Sequence, residues 1–248
     1  MTRFVIALTA VCCALGCATA EKPAPAKATE AKPEAKAEPG AKALAPKDKV
    51  TGFSITHNLK KDGAPNGETF VTEQEWRVAE YIGSGAVSVE GDMCVLGEGN
   101  DMTGIVWKGV LPSMNYEITL QAQRVDGSDF FCGFTFPYGK DPCSLVVGGW
   151  GGRLVGLSSL DWLDASENGT AKWRDFENGK WYSIKLRITP AKIEAWIDGE
   201  QLIDVETKDR GIGIRFEMEP TRPLGIASWR TKGAVKDIRI RAFEAGKA

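Results

Sequence analysis

The sequence predicts an all-β domain, a jelly-roll β-sandwich of two antiparallel sheets. Three observations carry this. Apolar and polar residues alternate with a period of two in run after run between residues 116 and 241. Glycine, Asp-Gly and Asn-Gly turns separate the runs. A sustained helical period is missing, and only residues 71–81 carry a pattern that fits a short helix.

Tyr116, Ile118, Leu120 and Ala122 alternate with Glu117, Thr119, Gln121 and Gln123, which predicts a strand with one wet face. Residues 126–147 hold two apolar runs about Phe136-Pro137-Tyr138-Gly139, taken as a hairpin turn. That turn sets Cys132 opposite Cys143. Cys132, Phe134 and Phe136 then share a face with Cys143, Leu145 and Val147. In an oxidising compartment a cross-strand disulfide between Cys132 and Cys143 is expected; the alternative is two small buried apolar residues. Cys94 is expected in the core.

Tyr182, Ile184, Leu186 and Ile188 predict the next strand, followed by Ile193, Ala195 and Ile197. Asp198-Gly199 turns that strand into residues 201–205. Ile212, Ile214, Phe216 and Met218 alternate with Gly213, Arg215, Glu217 and Glu219, which predicts a further strand. Val235, Ile238 and Ile240 close the chain, with Lys236, Arg239 and Arg241 facing out. There is no internal repeat of fixed period.

The N-terminus predicts export. Arg3 precedes an apolar stretch over residues 4–15, too short to cross a bilayer as a helix. Residues 1–20 form this signal. Ala14-Leu15-Gly16-Cys17 is similar to a bacterial lipoprotein site and marks Cys17 for lipidation, although Leu15 lies two residues before the cysteine rather than three. Ala18-Thr19-Ala20 is the alternative cleavage site. Lipidation would hold the chain at a membrane of the bacterial cell envelope, facing periplasm or exterior. Residues 21–49 are almost wholly Ala, Lys, Pro and Glu, too poor in apolar side chains to offset the entropy of ordering. They are expected to be a disordered tether reaching roughly 90 Å at ~3.1 Å per residue. One folded domain over residues 52–243 remains. With 31 basic against 33 acidic residues, the chain has no electrostatic footprint for nucleic acid.

A family resemblance rests on five stretches. They are Asn115-Tyr116-Glu117-Ile118-Thr119-Leu120, Gly127-Ser128-Asp129, Gly179-Lys180-Trp181-Tyr182, Ala195-Trp196-Ile197-Asp198-Gly199-Glu200 and the closing Val235-Lys236-Asp237-Ile238-Arg239-Ile240-Arg241. Over residues 68–243 the chain resembles the 3-keto-disaccharide hydrolase-like domains, within the concanavalin A-like lectin/glucanase jelly rolls. The resemblance implies two antiparallel sheets and a carbohydrate-related role. Two features depart from the family. Gly127-Ser128-Asp129-Phe130 stands where an N-S-G type turn is usual. Gly225-Ile226-Ala227-Ser228-Trp229 stands where a strand usually ends in histidine. No catalytic residue carries over position by position.

His57 is the one histidine, so a Ser-His-Asp triad would have to use it. A packing role is the expectation, and zinc spacings are absent. Gly148-Gly149-Trp150-Gly151-Gly152 is no dinucleotide fingerprint, because a strand follows it. Carboxylates are the catalytic candidates. On a strand, Glu217 and Glu219 would share a face with backbones roughly 6.5–7 Å apart. Glycosidase carboxylates sit about 5–5.5 Å apart for retention and 6.5–9.5 Å for inversion. The alternative is a solvated Arg–Glu face. A second cluster holds Trp150, Arg153, Asp161, Trp162, Asp164, Glu167, Asn168 and Trp173. Tryptophan faces stack on sugar rings, while charged and amide groups bond the hydroxyls. The ligand-binding expectation therefore falls on Trp150, Arg153, Asp161, Trp162, Asp164, Trp173 and Arg215. No cofactor is expected. Ca²⁺ stays open at the acidic loop, whose spacing matches no known calcium loop.

The leading expectation is an envelope-anchored domain that binds a glycan or polysaccharide. The alternatives are a glycoside hydrolase or 3-keto-glycoside lyase, and a structural or protein-interaction sandwich.

Overall fold

Strand-forming sequence dominates the computed structural model, which describes residues 43–60, 63, 65–73 and 76–246. The expected signal, Cys17 and residues 21–42 lie outside the described residues. In chain order the strands are β1 (Ser54–Leu59), β2 (Pro65–Glu73), β3 (Trp76–Val78), β4 (Val87–Glu90), β5 (Met93–Leu96), β6 (Met102–Trp107), β7 (Tyr116–Gly127) and β8 (Cys132–Tyr138). They continue as β9 (Asp141–Gly148), β10 (Leu154–Ser158), β11 (Lys172–Trp173), β12 (Trp181–Ile188), β13 (Lys192–Ile197), β14 (Glu200–Glu206), β15 (Leu224–Trp229) and β16 (Thr231–Ala242). One helical turn, α1 (Gly149–Gly152), and a 3-10 helix (Phe216–Thr221) interrupt them.

Two sheets face each other in the predicted jelly roll. One runs β14-β13-β12-β7-β16-β1-β2, with β5 and β4 added alongside β16. The other runs β11-β10-β9-β8-β15-β6-β3. Among the described residues every pairing is antiparallel except β1 with β16. The long β16 serves two neighbours because it breaks its own period. A bulge follows Lys236, with Asp237 at φ 53°. Before it β16 pairs with β5, and after it with β1. This also explains why Val235 and Ile238, three residues apart, are both buried.

The core lies between the sheets. From the nine-stranded sheet come Tyr116, Ile118, Leu120, Tyr182, Ile184, Leu186, Ile193 and Ile197. From the seven-stranded sheet come Cys132, Phe134, Phe136, Cys143, Leu145, Val147, Val155, Leu157 and Ile226. Burying each large apolar side chain contributes roughly 1.5–3 kcal/mol. Trp76 and Trp107 meet edge to face at 5.5 Å.

The two outer faces differ. The nine-stranded sheet shows solvent a charged face, where Glu117 lies between Arg187 and Arg241 and Lys185 sits 3.8 Å above the Trp196 ring. The seven-stranded sheet is buried on both faces along β6, β8, β9, β10 and β15. Its outer face is built of small residues, including Gly133, Thr135, Ser144, Gly156, Ser158, Gly225 and Ala227.

Four expectations need correction. Among the described residues of 71–81 there is no helix: β2 ends at Glu73, and Trp76 and Val78 are buried around an exposed Arg77. Packing against Trp107 decides that segment. Residues 43–49, expected in the tether, join the domain together with Val50. Leu44 bridges to Val87, Lys49 bridges to Arg77, and Val50 is fully buried.

The disulfide also fails. The hairpin turns at Gly139-Lys140, so Cys132 faces Val147 and Cys143 faces Phe136. The cysteines thus stand four residues apart along the strands, roughly 13 Å, far beyond disulfide reach. Both are free, as is Cys94. Their shared inward face holds as expected.

The strand expected over residues 212–219 is the fourth. Ile212 makes one bridge, to Leu160. The chain then leaves the sheet as the 3-10 helix, which contains Pro220, a residue unable to donate to a ladder. Phe216, which a strand would turn inward, is 79% exposed.

Burial pushes all three thiols up, those of Cys132 and Cys143 to about 12. Cys94, Cys132 and Cys143 should therefore stay unlabelled by a thiol reagent at pH 8 in the native protein and react fully in denaturant. Mass spectrometry of the labelled peptides checks this.

Candidate functional site

A cleft of about 290 Å³ opens on the outer face of the seven-stranded sheet. Its position follows from what lies on those small residues. A Cβ at Gly133 would come within 2.9 Å of the Phe130 ring and 3.3 Å of the Met218 methyl. Glycine at this position lets both apolar groups settle on the sheet and wall the cleft. At the far end of the 3-10 helix, a Cβ at Gly225 would come within 2.6 Å of the Thr221 carbonyl oxygen.

Phe130 and Trp229 stand beside each other with ring centroids 6.4 Å apart, and Trp229 N–H donates to the Phe130 carbonyl at 3.0 Å. Arg230 lies over the Trp229 ring and pairs with Asp101 at 2.7 Å. Met102 and Met218 add further apolar wall, while Val146, Ser144 and Ser158 line the base.

Trp150 closes one side from α1. Gly148, Trp150, Gly151 and Gly152 all take positive φ, and Trp150 is 40% exposed. This unusual turn is held from behind. Arg124, only 7% exposed, donates to the carbonyls of Gly152 (3.2 Å) and Phe176 and to Asn178 Oδ1 (2.6 Å). Burial lowers its pKa, partly offset by Tyr182 and Asp129. Asp129 itself lines the cleft and accepts from the N–H of Phe130 (2.7 Å) and of Gly151 (3.3 Å).

At the lip, Arg215 grips Glu217 through two parallel hydrogen bonds of 2.9 and 3.1 Å and also reaches Asp164. The hydrogen bonds from Arg215 hold the Glu217 carboxyl below its ordinary value, against a smaller opposing effect of burial. Glu217 and Asp164 in turn keep the guanidinium charged. Behind the 3-10 helix, burial pushes the Tyr81 phenol up, and the Glu217 carboxylate acts in the same direction.

The structure gathers some of the expected residues and scatters others. Trp150, Arg215 and Glu217 line the cleft. Trp162, Asp164, Arg215, Phe216 and Glu217 line a shallow depression that shares the Arg215–Glu217 pair. Trp162 is 86% exposed there. Glu219 does not join Glu217. The 3-10 helix turns it away, onto Arg222 at 3.0 Å, in a separate depression with Lys47 and Arg77. Arg153 pairs with Asp175 at 2.6 Å, Asp161 pairs with Arg210 at 2.6 Å, and Trp173 sits on the edge strand β11. These three line neither the cleft nor the depression.

Asn168 is buried and works inside its own loop, donating to the Leu157 and Asp164 carbonyls at 2.8 Å. Asp161 and Asp164 are each committed to a different arginine. Among the described residues, no three His, Cys, Asp or Glu side chains converge to hold a metal. His57 lies on β1 of the other sheet, buried, with its pKa lowered by that burial.

Sequence reasoning missed Phe130, Trp229, Asp129, Met102, Met218, Ser144 and Ser158. Two signals were present. In Phe130-Phe131 the period of two turns one ring into the core and the other outward. Trp229 ends the strand on which the family resemblance expects a terminal histidine.

Fold and cleft together define a jelly-roll domain with an aromatic and charged cleft on one outer face. The chain belongs to the family of 3-keto-alpha-glucoside-1,2-lyase-like domains, matching it over residues 28–241. It is thus a carbohydrate-related jelly-roll domain. No curated protein matches the sequence. Among solved structures it is similar to the carbohydrate binding module CBM66 from Bacillus subtilis, at 15% identity and TM-score 0.41, over 67% of this chain and 94% of that one. A GH16 family protein from Mycobacterium smegmatis matches at 13% identity and TM-score 0.43, over 77% and 99%. Domain 4 of a GH43 extracellular arabinanase from Geobacillus stearothermophilus, solved with arabinotriose, matches at 14% identity and TM-score 0.44, over 66% and 81%.

Replacing Arg215 with Gln should let the Glu217 pKa rise toward its ordinary 4.5. The pair is partly exposed, so its loss should cost about 0.5–1 kcal/mol at neutral pH. The depressed folded pKa of Glu217 makes this stabilisation complete above the ordinary carboxylate value. It fades as pH falls through the lower folded value. Urea melts of wild type and Arg215→Gln should therefore differ at pH 7 and converge as the pH is lowered below the ordinary carboxylate value.

Proposed function

We propose that this domain binds a saccharide, an α-glucoside in the first instance, in the cleft between Phe130, Trp229, Met218 and Trp150. The observation that carries the reading is the composition of the cleft, whose aromatic and thioether walls surround a base of serine hydroxyls beneath a charged lip. Sugar rings have apolar faces and polar edges, and this arrangement meets both. The volume lies near the small end of ligand pockets, roughly 300–1,000 Å³. One sugar unit fills it, and the shallow depression by Trp162 supports the next. The family match supports the α-glucoside.

A catalytic reading is favoured by the same family match and by the carboxylates of Glu217 and Asp129 in the cleft. Elimination from a 3-keto-α-glucoside removes the C2 proton, acidified by the neighbouring ketone. The C2–H electron pair becomes the C1=C2 double bond, and the C1 oxygen substituent departs as an alcohol on taking a proton from solvent. A carboxylate would take the C2 proton. Incubation with a 3-keto-α-glucoside separates the readings. An unsaturated product whose formation is lost in Glu217→Gln or Asp129→Asn establishes catalysis, whereas binding without product establishes recognition alone.

The saccharide reading expects Trp150→Ala and Trp229→Ala each to weaken glucoside binding roughly tenfold in calorimetry, from lost stacking and contact area. Unchanged affinity in both variants would remove the cleft from consideration.

The envelope placement rests on the charged start, the apolar stretch and Cys17 of the N-terminal segment. Lipid on Cys17 would hold the domain at a membrane. In a bacterial host, Cys17→Ala should move the protein from the membrane fraction to the soluble envelope fraction, and an unmoved protein would refute lipid anchoring.

A further inference from the structure

We propose that Ser144 and Ser158 form a hydroxyl-reading pair at the base of the cleft, selecting sugars with two adjacent free ring hydroxyls. This rests on the saccharide reading and names what that site would discriminate. The two residues are directly opposite in the β9–β10 register. Opposed residues carry Cβ atoms about 4.5–5.5 Å apart. Both line the cleft, and neither is more than 2% exposed.

The polarity of Ser144 follows from counting protons. Thr221 Oγ1 donates its single proton to the Met218 carbonyl at 2.6 Å. Its contact with Thr135 Oγ1 at 2.8 Å must then be one in which Thr135 donates. With the Thr135 proton committed, the 3.0 Å contact between Thr135 and Ser144 takes its proton from Ser144. Ser144 therefore offers a ligand only lone pairs. It can accept from a sugar hydroxyl and cannot donate.

Ser158 is the opposite case. Its Oγ is buried and has no hydrogen-bond partner among the described residues. A buried hydroxyl without a partner destabilises the fold, and alanine there would remove the cost. An unsatisfied polar group at the base of an aromatic-walled cleft is accounted for when a ligand supplies the partner. Ser158 can donate or accept. Beside an acceptor fixed by the Thr135–Thr221 chain, it completes a pair that meets two neighbouring hydroxyls at once. A ligand lacking either hydroxyl leaves one serine unpaired, and that loss is the basis of discrimination.

The test measures binding of methyl α-glucoside and its 2-, 3-, 4- and 6-deoxy analogues to wild type, Ser158→Ala and Ser144→Ala, together with melting temperatures. Wild type should bind the parent and lose roughly five- to tenfold for two analogues deoxygenated at adjacent positions. Ser158→Ala should bind the parent no better than one of those analogues, discriminate no further against it, and melt at or above the wild-type temperature. Ser144→Ala should show the same binding pattern for the other analogue, while melting below wild type because it breaks the Ser144–Thr135–Thr221 chain. A Ser158→Ala protein that keeps the full deoxy pattern, or that melts lower with unchanged affinity, overturns the pair while leaving the saccharide reading intact. A wild type that binds none of these glucosides overturns the α-glucoside reading and this inference with it.

Discussion

The close approach of the 3-10 helix to the seven-stranded sheet is the constraint on which the cleft depends. Met218 and Phe130 rest on Gly133, and the Thr221 carbonyl rests on Gly225. A side chain at either glycine would lift the helix by part of its own width. The helix carries Glu217 on one side and Glu219 on the other, and Arg215 immediately precedes it. Its seating therefore sets where the charged lip stands relative to the Phe130–Trp229 wall. Contact with the sheet also explains why a six-residue 3-10 segment containing a proline persists. Packing and the Thr221 hydroxyl hold it, since its few internal hydrogen bonds are weak.

That seating creates a polar problem, which the fold solves with short chains of hydrogen bonds. Covering the outer face takes Thr135 and Ser144 out of water, and each buried hydroxyl needs a partner. The Ser144–Thr135–Thr221–Met218 chain satisfies three hydroxyls and ties the sheet to the helix in the same contacts. Arg124 performs the equivalent task on the other side of the cleft, joining β7 to the Trp150 turn and to the loop at Phe176 and Asn178. Two buried polar anchors thus fix the two movable-looking walls to the sandwich. The hydrogen bonds of these anchors hold the cleft walls in place in the free protein.

The contrast between the two sheets sets how much the sequence could disclose. β7, β12 and β13 have one wet face, so their alternation is plain and their positions were legible. β6, β8, β9, β10 and β15 are buried on both faces, so alternation there is between large core residues and small outer ones. That pattern speaks for buried strands but conceals which small residues face a cleft. Nothing in the sequence sets Ser144 and Ser158 apart from the other small residues of these strands. The alternation over residues 212–219 was genuine yet misleading, because the covering segment needs an apolar underside of its own to bury Met218. The Cys132–Cys143 error came from placing the turn two residues too early, which shifts a hairpin pairing by four. Trp150, Arg215 and Glu217 were found because exposed tryptophans and paired charges stand out wherever the chain carries them.

The placement of charge limits the proton chemistry open to this site. His57, the one histidine, lies on the nine-stranded sheet, and the seven-stranded sheet with its core stands between that sheet and the cleft. The three described thiols are buried and protonated. What faces a ligand is the Glu217 carboxylate, kept ionised by Arg215, and the Asp129 carboxylate, already accepting from two backbone N–H groups. Glu217 cannot serve as a general acid near neutral pH, because that role needs a raised pKa and its own is depressed. This argues against a two-carboxylate hydrolysis in which Glu217 protonates the leaving group. Under the proposed saccharide reading it leaves two roles for Glu217, as a base toward an already acidic C–H or as a hydrogen-bond acceptor for sugar hydroxyls. The bidentate Arg215–Glu217 pair, backed by Asp164, keeps the carboxylate ionised for either role.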